Sequence, residues 1–138
     1  MSEISVLIPH QGGMCLLERV VSFDDTSVRC ATTTHRHAEN PLRRDGRLSA
    51  VHLCEYGAQA MAVHGGLLAR RAGAAAKPGL LVSLRGVRFA LAHVDQLDGE
   101  LVVEAERLVE SEASWQYAFR ITHAGELVCE GRAAVMMA

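Results

Sequence analysis

The spacing of apolar positions divides the chain into alternating stretches and one helical stretch. Cys15 to Phe23 (CLLERVVSF) is β-rich and ends on the turn pair Asp24-Asp25. Ser27 to Thr34 (SVRCATTT) is β-branched and alternating, which predicts a second strand paired with the first. Ahead of both, Ile4 to Met14 holds Pro9, Gly12 and Gly13 and reads as a short turn or helix followed by a loop. After them, His35 to Arg47 is polar, with turn signals at Asn40-Pro41 and Asp45-Gly46. Loops of that length in a small chain are often functional.

Ser49 is a suitable N-cap, and a helical period runs from it to about Arg71, where Arg70 and Arg71 suit the negative end of the helix dipole. With residues about 100° apart, Leu53, Cys54, Met61, Val63, Leu67 and Leu68 cover most of the circumference. A helix apolar nearly all round is buried on most sides. Ala72 to Gly79 is an Ala/Gly/Pro linker, and four strand-like runs follow it. Leu80 to Ala92 contains Gly86 as a candidate bulge. Leu101 to Val109 places Leu101, Val103, Ala105 and Val109 on one face. Trp115, Tyr117, Phe119 and Ile121 alternate with Gln116, Ala118, Arg120 and Thr122, and Leu127 to Met137 closes the set. Asp98-Gly99 and Ala124-Gly125 mark turns. The order β-β-α-β-β-β-β predicts one α+β domain over 1–138, a curved antiparallel sheet wrapped around one long central helix.

Composition narrows the partners. The 138 residues suit one domain, and 49% apolar residues suffice for a core. A formal net charge of -2, from 14 basic and 16 acidic residues, argues against a general nucleic-acid binder. Cys15, Cys30, Cys54 and Cys129 form no CxxC pair and sit in apolar runs, so buried reduced thiols are expected. The opening MSEISVLIPH carries an acid and no long apolar run; it does not read as a signal peptide, and a cytoplasmic location follows as the default expectation. The apolar stretch Leu48 to Ala69 contains His52, Glu55, Gln59, His64 and three glycines, a load that a membrane span does not normally carry.

Glu55 is the only charged residue between Arg47 and Arg70. A lone carboxylate in an apolar helix needs a partner, a raised pKa or a function. His52 lies one turn before it and Gln59 one turn after; the three fall within about 60° on the wheel, a narrow polar stripe. Backbone N–H groups at the helix start, around Ala50 and Val51, are candidates to bind a carbonyl oxygen gaining negative charge. The seven histidines leave the base open. His10 follows Pro9, His35 and His37 are expected to share a face at the end of the second strand, and His52 lies on the stripe. Two histidines without further ligands are a weak metal signal.

LIPHQGGMCLLERV resembles the opening of 3-hydroxyacyl-[acyl-carrier-protein] dehydratases of the FabA/FabZ-like hotdog superfamily. NPLRRDGRLSAVHLCEYGAQAMAVHGG resembles their loop and central helix, in which a Glu opens an E-x-x-A-Q motif; here it reads Glu55, Tyr56, Gly57, Ala58, Gln59. The layout is most similar to the ApeP-like branch, associated with aryl polyene clusters. The resemblance implies a hotdog fold, a dimer or higher homo-oligomer with its site between subunits, and a thioester substrate on an acyl carrier protein or coenzyme A, with no cofactor or metal. It implies that Glu55 helps the C3 hydroxyl leave as water, while a histidine removes the C2 proton and helix amides polarise the thioester carbonyl. The histidine of the family's HFPG-like stretch is missing: fourteen positions before Glu55 the chain reads Pro41, Leu42, Arg43, Arg44. His10 and His37 are the preferred substitutes, ahead of His52, which shares a helix with Glu55. Asn40, Pro41, Arg43 and Arg44, with Gln59, His52, Ala50 and Val51, are the expected substrate-binding residues; Arg43, Arg44 and Arg47 are suited to an acidic carrier or a phosphate. A hotdog acyl-thioesterase and a non-catalytic acyl-binding or partner subunit are the alternatives.

Overall fold

Alternation in the second half of the chain produces long antiparallel strands, and the helical period before them produces one long helix. The computed structural model describes residues 14–74, 79–111 and 113–137. Its strands are β1 (Arg19–Phe23), β2 (Ser27–Thr32), β3 (Gly79–Phe89), β4 (Leu101–Glu110), β5 (Ser114–His123) and β6 (Glu126–Met137); the helix α1 (Leu53–Arg71) lies between β2 and β3. The strands form one antiparallel sheet in the order β1-β2-β4-β5-β6-β3. β3 therefore sits at the opposite edge from β1, and the chain reaches it by way of α1, which packs on β2, β4 and β5. This is the α+β hotdog arrangement. His10, the opening stretch 4–13 and the linker residues 75–78 lie outside the described residues.

The core forms where the two periods meet. Val28 and Cys30, Leu101, Val103 and Ala105, and Tyr117, Phe119 and Ile121 turn inward from β2, β4 and β5 onto Leu53, Tyr56, Ala60, Met61, Val63 and Leu67 of α1. Helix and sheet approach closely at Gly57. A Cβ there would stand 2.7 Å from Cδ2 of Phe119, while one on Gly131 of β6 would stand 2.9 Å from Cε1 of the same ring. The Phe119 ring thus lies between two glycines. Among the described residues no helix is long and apolar enough to cross a membrane.

Three details depart from the alternation. β2 stops at Thr32 because Thr32 and Thr34 donate their hydroxyls to Leu16 O, each at 2.6 Å, and the Thr34 amide turns back onto Thr32 Oγ1. Such bonds compete with a ladder, and Thr34–Arg36 forms a 3-10 turn instead. His35 and His37 therefore do not share a strand face: His35 is buried and the His37 side chain is 41% exposed. Val109, expected on the inner face, is 53% exposed because the β4–β5 register shifts between Arg107 and Val109. β3 ends at Phe89 rather than Ala92, whose carbonyl is used at the helix start.

Candidate functional site

Ser49 is extended, and its hydroxyl lies 3.4 Å from the Val51 amide, so it caps a single 3-10 turn, Ala50–His52, that leads into α1. The free amide expected at Ala50 does not exist: its N–H donates to Ala92 O at 2.8 Å, and its side chain is buried. Val51 keeps the more weakly engaged amide and a 55% exposed side chain.

The polar stripe is real and graded in depth. His52 and Glu55 are part-buried and Gln59 is fully buried. Gln59 donates through Nε2 to Glu55 Oε1 at 3.3 Å and to Met14 O at 2.6 Å, and accepts the Leu16 amide on Oε1 at 2.9 Å. One amide side chain thereby fixes the candidate acid and the chain segment that enters β1. Cys54, Ala58 and Ala62 are also part-buried, and Cys54 and Ala62 pack against the core cluster.

The 33–47 loop is strapped to α1 by a network that sequence reasoning missed. Tyr56 OH accepts from Asn40 Nδ2 at 3.0 Å and bonds Thr34 Oγ1 at 2.9 Å. Asn40 Nδ2 also donates to Thr34 O, and Oδ1 accepts the Leu42 amide, both at 2.9 Å. With both donors engaged and the residue buried, Asn40 holds the loop instead of waiting for substrate. A tyrosine in an aliphatic helix carries a hydroxyl that demands a partner, the one signal that pointed to this network. Burial pushes the Tyr56 phenol up from its ordinary pKa.

The loop arginines are also used internally. Arg43 donates to Gly46 O at 2.8 Å and His35 O at 3.4 Å; Arg44 donates to Arg43 O at 2.8 Å and Pro41 O at 3.2 Å. Pro41 itself is exposed. Arg47 grips both carboxylate oxygens of Asp95 at 3.0 and 3.2 Å, and the Leu48 amide joins at 3.0 Å. Burial opposes ionisation of Asp95, but the Leu48 amide and Arg47 together hold its carboxyl below the usual range.

The described histidines separate by environment. His35 Nε2 meets Leu97 O at 2.9 Å, which makes it the protonated nitrogen and leaves a bare Nδ1 buried without a partner. His64 sits in the core between Tyr117 OH at 2.7 Å and Asp24 O at 3.0 Å. Burial holds both below the ordinary histidine pKa. His37 Nδ1 lies 3.9 Å from Glu39 Oε1 on the loop, His123 Nε2 is 2.6 Å from Asp98 O, and His93 is exposed. His10, a preferred base, lies outside the described residues. None of the four cysteines forms a disulfide; Cys30 and Cys129 are buried, and burial pushes each to about 12.

A part-buried carboxyl on a central helix, tethered by a buried glutamine, is the candidate chemistry-bearing feature of this fold. The family model described as ApeP dehydratase matches residues 2–138. The chain belongs to the ApeP-like dehydratase family. Among solved structures, it is similar to a chain of the dehydratase heterocomplex ApeI:P from Xenorhabdus doucetiae, 25% identical, covering 98% of this chain and 90% of that one with a TM-score of 0.88. It also resembles a hypothetical thioesterase from Streptococcus pneumoniae solved with coenzyme A, 16% identical over 87% of this chain and 84% of that one, TM-score 0.65. Zebra fish thioesterase superfamily member 2 is 17% identical over 98% and 93%, TM-score 0.67. No curated protein matches the sequence. The family model and the shared hotdog fold of these neighbours agree for this ApeP-like chain.

Proposed function

We propose that this protein dehydrates a 3-hydroxyacyl thioester, presented on an acyl carrier protein or coenzyme A, to the trans-2-enoyl thioester. The observation that carries the reading is Glu55, a part-buried carboxyl held by the buried Gln59 on an otherwise apolar helix. In the reaction a histidine, His10 or His37, takes the C2 proton; the C2 electron pair forms the double bond; Glu55 as carboxylic acid protonates the C3 hydroxyl, which leaves as water. The Val51 amide at the start of the helix is the donor for the thioester carbonyl, whose oxygen gains negative charge. His52 and Gln59 line the same stripe.

The working unit is an oligomer in the cytoplasm. β3 is an 11-residue edge strand with Leu84 and Phe89 each 40% exposed, and such an edge calls for pairing or cover. A homodimer supplies that, as does a second dehydratase subunit of the kind named in the Xenorhabdus heterocomplex. The histidine-free stretch Pro41–Arg44 favours one second reading, a non-catalytic subunit that supports an active dehydratase.

Incubating the protein with 3-hydroxyacyl carrier and coenzyme A thioesters, with products read by mass spectrometry, separates the readings. Enoyl thioester supports dehydration; free acid and thiol indicate hydrolysis. A chain inert alone that raises the turnover of a partner dehydratase is a supporting subunit. Glu55→Gln is expected to remain folded and to lose turnover by about 10²–10⁴-fold, the usual share of general acid catalysis. Activity surviving in a well-folded Glu55→Gln sample would remove Glu55 from the acid role.

A further inference from the structure

The outer face of the sheet, turned away from α1, carries a ladder of charge. The alternation that sends Val28, Ala105 and Phe119 inward sends Arg29, Glu104 and Arg120 outward. Register then sets Arg29 opposite Glu104, Glu104 opposite Arg120, Arg120 opposite Glu130 and Glu130 opposite Arg88, so signs alternate across five strands. Arg29–Glu104, at 3.4 Å, and Arg88–Glu130 close as ion pairs. The alternation then breaks. Arg85 on β3 stands directly opposite Arg132 on β6. Among the described residues neither has an ion pair or hydrogen bond, and Arg120 has none either.

Like charges directly opposite destabilise a sheet, so Arg85 against Arg132 is a cost, and no ion pair or hydrogen bond to either arginine among the described residues offsets it. Gly86, at φ +59°, with the register shift between Arg85 and Arg88, forms the bulge beside them, and Arg85 and Arg88 both line the same groove. That groove has a volume of about 820 Å³ and is lined by five arginines and three glutamates, an excess of two positive charges. The whole chain, by contrast, has a formal net charge of -2.

We propose that this groove docks an acidic α-helix of a partner protein, with Arg85, Arg132 and Arg120 receiving its carboxylates. The five strands crossed by the ladder span roughly 19 Å at ~4.8 Å per strand, the length of about 13 helical residues and far more than one phosphate needs. The three unpaired arginines step from β3 to β6 to β5 at cross-strand and diagonal separations of about 5–8 Å. Carboxylates at i and i+4 on a helix stand about 5–6 Å apart. Guanidinium groups bind such carboxylates in bidentate pairs. A second copy of this chain is a poor occupant, because it brings the same positive excess to the contact. The proposal is independent of the dehydration reading and of the loop arginines, whose guanidinium groups already serve loop carbonyls.

The probe is a fluorescent helical peptide with glutamates at i, i+4, i+7 and i+11, titrated by anisotropy at low and moderate salt. It is expected to bind, to weaken with salt, and to lose at least tenfold in affinity in R85E/R132E. The neutral R85Q/R132Q variant, which removes charge without adding any, should show a smaller loss, and R43E/R44E none. Circular dichroism checks that each variant is folded. Absent binding, or equal affinity for wild type and R85E/R132E, overturns the proposal. So does inorganic pyrophosphate competing through the same arginines with higher affinity than the peptide, which marks a small-ligand site. Sedimentation showing a self-association that R85E/R132E abolishes also overturns it, in favour of a second copy.

Discussion

A buried amide with three polar neighbours has little freedom, and the candidate acid inherits that restraint from Gln59. Gln59→Leu keeps the volume but strands the Leu16 N–H and the Met14 carbonyl. Buried groups left unpaired cost about 1–3 kcal/mol each, so chemical denaturation should show a loss in that range or above. The same substitution releases Glu55 from its 3.3 Å contact. If Gln59 positions the acid, kcat should fall while KM moves little; a variant that merely unfolds more readily would keep its kcat once folded. The Glu55–Gln59 pairing was legible in the sequence because a helix turn separates the two. The rest of the arrangement was not, since Gln59 reaches a segment 43 positions away. The sequence places Asn40 among the expected substrate contacts, whereas its hydrogen bonds make it a strut between Thr34 and Tyr56.

At the scale of elements, α1 against the sheet decides where Glu55 sits, and Gly57 decides how close α1 comes. Gly57→Ala gains helix propensity, about 1 kcal/mol. It also drives a methyl group to 2.7 Å from a ring that Gly131 pins from the other side. Phe119 cannot retreat, and overpacking of this kind costs about 1–3 kcal/mol. The expected net result is a lower melting temperature despite the better helix former; a rise would show that α1 slides freely over β5. Asn40→Ala tests the loop in the same way: Tyr56 and Thr34 O lose a donor, stability should drop by about 1–3 kcal/mol, and proteolysis within 33–47 should quicken. Elements with an uninterrupted period, α1 and β5, could be read directly. β2 and β4 were misjudged where a threonine hydroxyl or a bulge interrupts the ladder, because the period then no longer fixes the face.

Across the whole molecule, two buried histidines couple separate parts of the fold to pH. His64 on α1 joins the Asp24 turn to Tyr117 of β5, with Arg71 and Arg107 nearby; His35 joins the loop to Leu97, with Arg36, His37 and His123 nearby. Each donates from Nε2 to a carbonyl; a second proton on Nδ1 would meet no partner in His35 and in His64 would displace the hydrogen bond that the neutral ring accepts from the Tyr117 hydroxyl. Desolvation by burial is the largest influence on both, and both lie below the ordinary value of 6.5. The unfolded chain therefore binds protons that the folded chain refuses, and stability falls as pH falls through about 6.5. The carboxylates of Asp24 and Asp95 lie below their ordinary value of 3.8, so their contribution is lost only in a separate, more acid window. Melting temperature should thus be flat above neutrality and decline between about pH 7 and pH 5, the histidine range. His64→Gln retains hydrogen-bonding capacity without a titratable ring. It should lower the melting temperature at alkaline pH and flatten part of that decline, with His35→Gln removing more. An unchanged slope in both variants would mean that exposed groups, not these buried rings, govern stability in acid.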